Sequence, residues 1–144
     1  MYKTILVPLD GSNRAEAILP HVKELALRFG AQVILVRIEE NVVNVGYDAV
    51  VDLSAVWEGR DQLKKAAESY LTEVEADFNG NNISTKKRFF SGPVVQSILD
   101  AAERENADLV AMASFEQKSL TRIFYGSVVA GVSNCMDRPL LTIR

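Results

Sequence analysis

Met112-Ala113-Ser114-Phe115-Glu116 is separated by nine residues from Gly126-Ser127-Val128, and this spacing frames the chemistry the chain could carry. The apolar run that ends at Ala113 has the length and composition of a buried strand. Gly126-Ser127 opens a new amphipathic segment, with Val128, Val129, Val132 and Met136 on one helical face. Strand, loop and helix N-terminus in that order make an anion cradle. The first helical N–H groups lack intrahelical partners, and the helix dipole favours negative charge there. Glu116, however, stands in the loop where a phosphate cradle would present bare backbone. A carboxylate about 4 Å from a phosphate charge repels it by about 4 kcal/mol at an effective dielectric of about 20. Lys118, Arg122 or a magnesium ion would offset part of that.

Other reactive residues are sparse. Asp10 follows the first apolar run, Ile5-Leu6-Val7-Pro8-Leu9, at a strand end. A phosphoacceptor site would need acidic and lysine partners at neighbouring strand ends, whereas the third strand ends in Phe89-Phe90-Ser91. Asp10 is expected to cap the turn before the first helix, with contact to a ligand at the strand end as the alternative. His21 is the sole histidine, and nothing sets Ser12 or Ser127 against it as a catalytic triad requires. A solvated or packed imidazole is expected. Cys135 is the sole cysteine, which excludes an intrachain disulfide and a cysteine-built metal site. It is expected to fill space near the end of the last helix.

At 144 residues the chain suits one domain with a sizeable core. A net charge of −3 argues against a nucleic-acid partner, which asks for a basic face. The basic cluster Lys86-Lys87-Arg88 reads as the solvated side of a strand. No apolar stretch approaches the ~20 residues that span a bilayer. Met1-Tyr2-Lys3-Thr4 runs into a strand without the apolar core of a signal peptide. A cytoplasmic protein with no membrane partner is expected.

The elements that must position these residues follow from periodicity. Strands are expected at residues 5–9, 32–38, 83–89, 109–113 and 139–143. The first helix is predicted to start at Asn13, with Glu16 completing a variant capping box, to kink at Pro20 and to stop at Gly30. Residues 39–56 keep no sustained period, yet Val42, Val43, Val45, Tyr47, Val50 and Val51 make them too apolar for a solvated loop; a lid or interface is expected. Leu63, Ala67, Tyr70, Val74 and Phe78 mark a long amphipathic helix. Pro93 suits the first turn of the next helix, whose buried stripe is Val94, Val95, Ile98, Leu99 and Ala102. Strands alternating with helices need right-handed crossovers. The result is an α/β domain, a single doubly wound five-stranded parallel sheet with helices on both faces. Ligands of such folds bind at the carboxyl ends of the strands, where strand order reverses.

Ile5-Leu6-Val7-Pro8-Leu9-Asp10-Gly11-Ser12, Gly92-Pro93 and Asn106-Ala107-Asp108-Leu109-Val110 together resemble the universal stress protein family. So do Gly126-Ser127-Val128 and the close, Arg138-Pro139-Leu140-Leu141-Thr142-Ile143-Arg144, and the resemblance spans essentially the whole chain. It implies a Rossmann-like domain of the adenine nucleotide alpha hydrolase-like class. Nucleotide-binding members carry G-x2-G-x9-G-[S/T]. Here Ala113 replaces the first glycine and Glu116 the second, while Gly126 and Ser127 match. By resemblance, Asp10 and the backbone near Ile38 face adenine and ribose, with Pro8 nearby. Gly126, Ser127 and Val128 would offer N–H groups and a hydroxyl to the phosphates of ATP or AMP, with magnesium. Alanine does not freely reach the backbone conformations and close approaches that glycine permits, so ATP is expected to bind weakly or not at all.

The last strand, Leu140, Leu141, Thr142 and Ile143, is expected at a sheet edge, and an exposed apolar edge invites pairing. In the family this strand commonly joins two subunits, so a homodimer is implied. The expected function is a stress-response protein acting as a non-catalytic binding dimer, through contacts with a protein partner the sequence does not name. The alternative is an ATP or AMP sensor with slow ATP hydrolysis or autophosphorylation. A pocket for another small ligand is a third reading.

Overall fold

Ile5, Leu6 and Val7 are fully buried, which requires a strand covered on both faces. They belong to β1 (Thr4–Leu9), the middle strand of a sheet that the computed structural model places at the centre of the molecule. It describes residues 1–39, 53–113 and 122–143, apart from the side chains of 53–60 and 122–127. After β1 come α1 (Asn13–Glu16), α2 (Leu19–Phe29), β2 (Gln32–Glu39) and α3 (Leu53–Gly80). Then follow β3 (Thr85–Ser91), α4 (Val94–Arg104), β4 (Leu109–Ala113), α5 (Arg122–Cys135) and β5 (Leu140–Ile143). The sheet order is β3-β2-β1-β4-β5, and every pairing is parallel. Right-handed crossovers put α1, α2 and α3 on one face and α4 and α5 on the other. The doubly wound sheet read from the alternating periods is the observed one, and strand order reverses between β1 and β4.

Two devices fix the amino end of that central pair. The Asp108 carboxylate accepts the Lys3 and Thr4 backbone N–H groups at 2.9 and 3.2 Å. Arg138 donates through one guanidinium nitrogen to the carbonyls of Ala102 and Ala107, at 2.7 and 3.0 Å. The first of these is a carbonyl that the end of α4 leaves without a helical partner. On the opposite face α5 comes close to α4 at Gly131, where a Cβ would meet Val95 Cγ2 at 3.0 Å.

Several elements depart from the periodicity. The first helix is two helices rather than one kinked helix, and Pro20 is the second residue of α2, where the missing N–H would be unpaired in any case. The cap is Ser12, not Asn13: its hydroxyl accepts the Ala15 N–H at 3.1 Å. Pro93 is the N-cap of α4 rather than a first-turn residue, and Ala101 joins Ile98 and Ala102 in the buried stripe. β3 begins at Thr85, so Ile83 precedes it, buried. α5 begins at Arg122, four residues before Gly126. Cys135 is exposed rather than packed.

Leu63 is 61% exposed, outside the buried stripe it was expected to join. The cause is length. α3 has 28 residues, about 42 Å at 1.5 Å per residue. The eight residues of β2 span only about 26 Å, so residues 61–66 of α3 are all exposed and packing resumes at Ala67. Of residues 39–56, expected as an aperiodic lid or interface, Glu39 closes β2 and residues 53–56 open α3 instead; residues 40–52 lie outside the described residues.

Phe78, fully buried on α3, lies under the Lys23 ammonium, 5.4 Å from the ring centroid. Phe78→Ala is expected to cost about 3–5 kcal/mol, read as a lower denaturation midpoint in urea. A loss under about 1 kcal/mol would show that α3 adds little to the core.

Candidate functional site

The reversal of strand order has a local chemical counterpart at Pro8. The Lys3 carbonyl accepts the Gln32 N–H from the β2 side. Backbone polar groups alternate sides along a strand, so residues 4, 6 and 8 address β4. Pro8 has no N–H to offer there. The β1–β2 ladder runs to Leu9–Arg37, whereas the β1–β4 ladder consists of Ile5–Leu109 and Leu6–Val110. The missing donor thus coincides with the end of the β1–β4 ladder. The β1–β4 ladder stops short of the carboxyl ends of both strands, at the switch point where doubly wound folds have the crevice that binds ligands.

Asp10 stands at the mouth of that crevice, directly after β1. Gly11 turns the chain with φ +86°, a backbone conformation that suits glycine. The Asp10 Oδ1 accepts both the Ser12 N–H, at 2.9 Å, and the Ser12 hydroxyl, at 2.5 Å. Ser12 in turn caps α1. The expectation that Asp10 braces the turn before the first helix is therefore met.

A further group, on the amphipathic stripe of α3, meets this turn. The Tyr70 hydroxyl donates to Glu16 Oε1 at 2.9 Å. Burial pushes the Tyr70 phenol well above its ordinary range; the Glu16 hydrogen bond and the charges of Glu16 and Asp10 add to this, and Arg37 opposes it. Asp10, Glu16, Arg37 and Tyr70 thus form one electrostatic cluster at the carboxyl ends of β1 and β2. An aromatic hydroxyl within an apolar helical stripe, which needs a partner when buried, was the available signal.

The remaining candidates are placed as follows. Pro8 is buried in β1 opposite Val36 of β2. Ile38 is half-buried in β2, against the core. Ala113 is the last residue of β4 and 1% exposed. Topology therefore brings Pro8, Asp10, Ile38 and Ala113 to one end of the sheet. Gly126 and Ser127 lie in the second turn of α5, and Val128 is buried in the core. The N–H groups without helical partners belong to the first turn of a helix, so the helix start read at Gly126-Ser127 is corrected to Arg122. Glu116 lies outside the described residues. Leu140, Leu141 and Ile143 are half-buried and Thr142 exposed on β5, an edge strand as expected. His21 is exposed on α2.

A family model described as the universal stress protein family matches residues 1–144. Universal stress protein Sll1654 of Synechocystis is 31% identical over 144 residues, covering 99% of this chain and 86% of its own length. Universal stress protein MJ0577 of Methanocaldococcus jannaschii is 25% identical over 155 residues, covering 100% of this chain and 96% of its own. A solved structure of MJ0577 matches with a TM-score of 0.83 at 26% identity, over 99% of this chain and 96% of that one. A universal stress protein in complex with cAMP shares the fold at TM-score 0.71 and 17% identity, over 99% and 97% of the two chains. One from Archaeoglobus fulgidus in complex with dAMP does so at 0.66 and 19%, over 99% and 98%.

Two outcomes are expected. Pro8→Ala restores a donor facing β4, so the ladder should lengthen and amide exchange in the carboxyl half of β4 should slow; unchanged exchange would contradict the role given to Pro8. The second concerns Tyr70. Because its folded pKa is raised above the ordinary 10.0, the unfolded chain releases this proton first. The stabilisation is whole below about pH 10 and declines as pH rises above it. In an absorbance titration of the four tyrosines, one should resist ionisation until the protein unfolds, and Tyr70→Phe should abolish that late step. Four tyrosines titrating together in the folded protein would refute it.

Proposed function

The chain belongs to the universal stress protein family, and on that premise we propose that it serves the stress response as a homodimer that binds rather than turns over. Its adenine-nucleotide site is weakened at Ala113 and Glu116. The observation that carries this reading is Ala113 itself. It closes β4 at the crevice, 1% exposed, where the nucleotide-binding pattern has glycine. Alanine there gives up the positive-φ conformations and the close backbone approach that glycine would allow a phosphate. Glu116 adds a like charge close by in sequence. Function then passes to contacts with a protein partner, and the whole of residues 1–144 acts as one domain.

A second reading keeps the site working as an ATP or AMP sensor, with slow hydrolysis or autophosphorylation. The crevice beside Pro8, Asp10 and Ile38 favours it, and the structural neighbours in complex with cAMP and dAMP support it. Adenine and ribose would lie against Asp10 and the backbone near Ile38. Phosphates would fall to Gly126, Ser127 and Val128, with magnesium entering on the phosphates and keeping several of its waters.

The dimer reading rests on β5. It is an edge strand whose Leu140, Leu141 and Ile143 remain partly exposed, the kind of edge another chain covers. Two-fold pairing makes one patch serve both subunits. Among the described residues no helix is long and apolar enough to cross a membrane, and we place the protein in the cytoplasm.

Restoring both glycines, Ala113→Gly with Glu116→Gly, should tighten ATP binding by tenfold or more, about 1.4 kcal/mol. No gain in calorimetry would remove the degraded-site account. Leu141→Lys should convert a dimer to a monomer in sedimentation equilibrium. A monomeric parent protein at tens of micromolar, or an intact dimer in the variant, would dismiss the interface.

A further inference from the structure

The other end of the sheet holds a groove that the nucleotide reading does not use and that shares one residue, Leu141, with the dimer edge. It has a volume of about 570 Å³ and lies between α2 and the amino-terminal parts of β4 and β5. Tyr2 precedes β1, Leu109 opens β4 and Leu141 is the second residue of β5, so the groove is far along the strands from Asp10 and Ala113. Its origin is topological. The helices α1, α2 and α3 share one face, with α2 and α3 joined by the Lys23–Asp77 ion pair. On that face α1 reaches β4, and among the described residues none of the helices that connect β4 and β5 lies there.

The lining divides by chemistry. Leu25, Leu109 and Leu141 supply apolar surface, and Tyr2, His21 and Glu24 supply hydrogen-bonding groups. Among the described residues the Tyr2 hydroxyl, the His21 ring and the Glu24 carboxylate have no hydrogen-bond or ion-pair partner. Lys23, between His21 and Glu24 in sequence, is committed to Asp77 on α3. The groove therefore offers one uncompensated negative charge beside an apolar bed, in a chain whose net charge is −3.

Size decides between classes of occupant. Small-molecule sites run to about 300–1,000 Å³, which includes this one. A stable protein interface takes about 20–30 residues a side, and seven line the groove. We propose that the groove is a second binding site, for a small monocation on an apolar body, such as a primary alkyl or aryl amine. The ammonium sits at Glu24, within reach of the hydrogen-bonding groups of Tyr2 and His21, and the hydrocarbon lies against Leu25, Leu109 and Leu141.

The test uses the intact chain and three probes of one length, decylamine, decanol and decanoate, each titrated below its micelle concentration by calorimetry. Decylamine should bind most tightly and decanoate least. Glu24→Gln, an exposed change that leaves the core alone, should weaken decylamine about fivefold and leave decanol unchanged. Leu25→Gln should weaken both. Decanoate binding as well as decylamine, or Glu24→Gln leaving decylamine unaffected, would overturn the assignment. If decylamine binds only as sedimentation shows a dimer dissociating, the occupant is a second copy of the chain and the proposal fails.

Discussion

A hydrogen-bond donor missing from the middle strand sets the geometry of this molecule. Pro8 is the fifth residue of β1, a strand buried on both faces, where a proline is normally excluded because it breaks a ladder. Here the broken rung faces β4, and the β1–β4 ladder ends at Leu6–Val110. At the other end of the same pair, Asp108 accepts two backbone N–H groups from Lys3 and Thr4. The central pair is thus clamped at its amino end and released at its carboxyl end. The reversal of strand order and the broken rung fall at the same place in the sheet.

What borders the crevice is held from outside it. Asp10 orders Ser12, Ser12 caps α1, and Tyr70 reaches across from α3 to Glu16. These contacts tie the first turn after β1 to a helix that belongs to a different crossover. The opposite wall is less well provided. β4 ends in a buried alanine, and α5 begins four residues before the Gly126-Ser127 pair. The two walls differ in kind: one is a braced turn that keeps its polar groups, the other a strand end closed by a buried alanine.

The fold was legible because it rests on composition over long runs. Continuous apolar strands alternating with helical periods leave few topologies, and β4 was read at its observed limits. The places where reading failed are those where distance in space overrides local pattern. Asn13 with Glu16 looked like a cap, but Ser12, held by Asp10, took the role. Leu63 fits the stripe of α3 by period, yet among the described residues no strand extends beneath it. Gly126-Ser127 looked like a helix start because glycine and serine favour ends, whereas the helical hydrogen bonds extend back to Arg122. Of the site, Pro8, Asp10, Ile38 and Ala113 were legible as strand-end residues. The link from Tyr70 to Glu16 was not, since 54 residues separate them. The groove beside Glu24 was equally hidden, because it exists only where the sheet outgrows its helices.

The central claim is that the braced wall alone does not hold a nucleotide firmly. The most direct measurement is calorimetric titration of the purified chain with ATP and magnesium, after confirming that no nucleotide co-purified. The account predicts no saturable binding at micromolar ATP, with at most a weak isotherm near millimolar. A micromolar dissociation constant would contradict it, since Gly126, Ser127 and Val128 would then suffice despite Ala113 and Glu116, and the sensor reading would take its place.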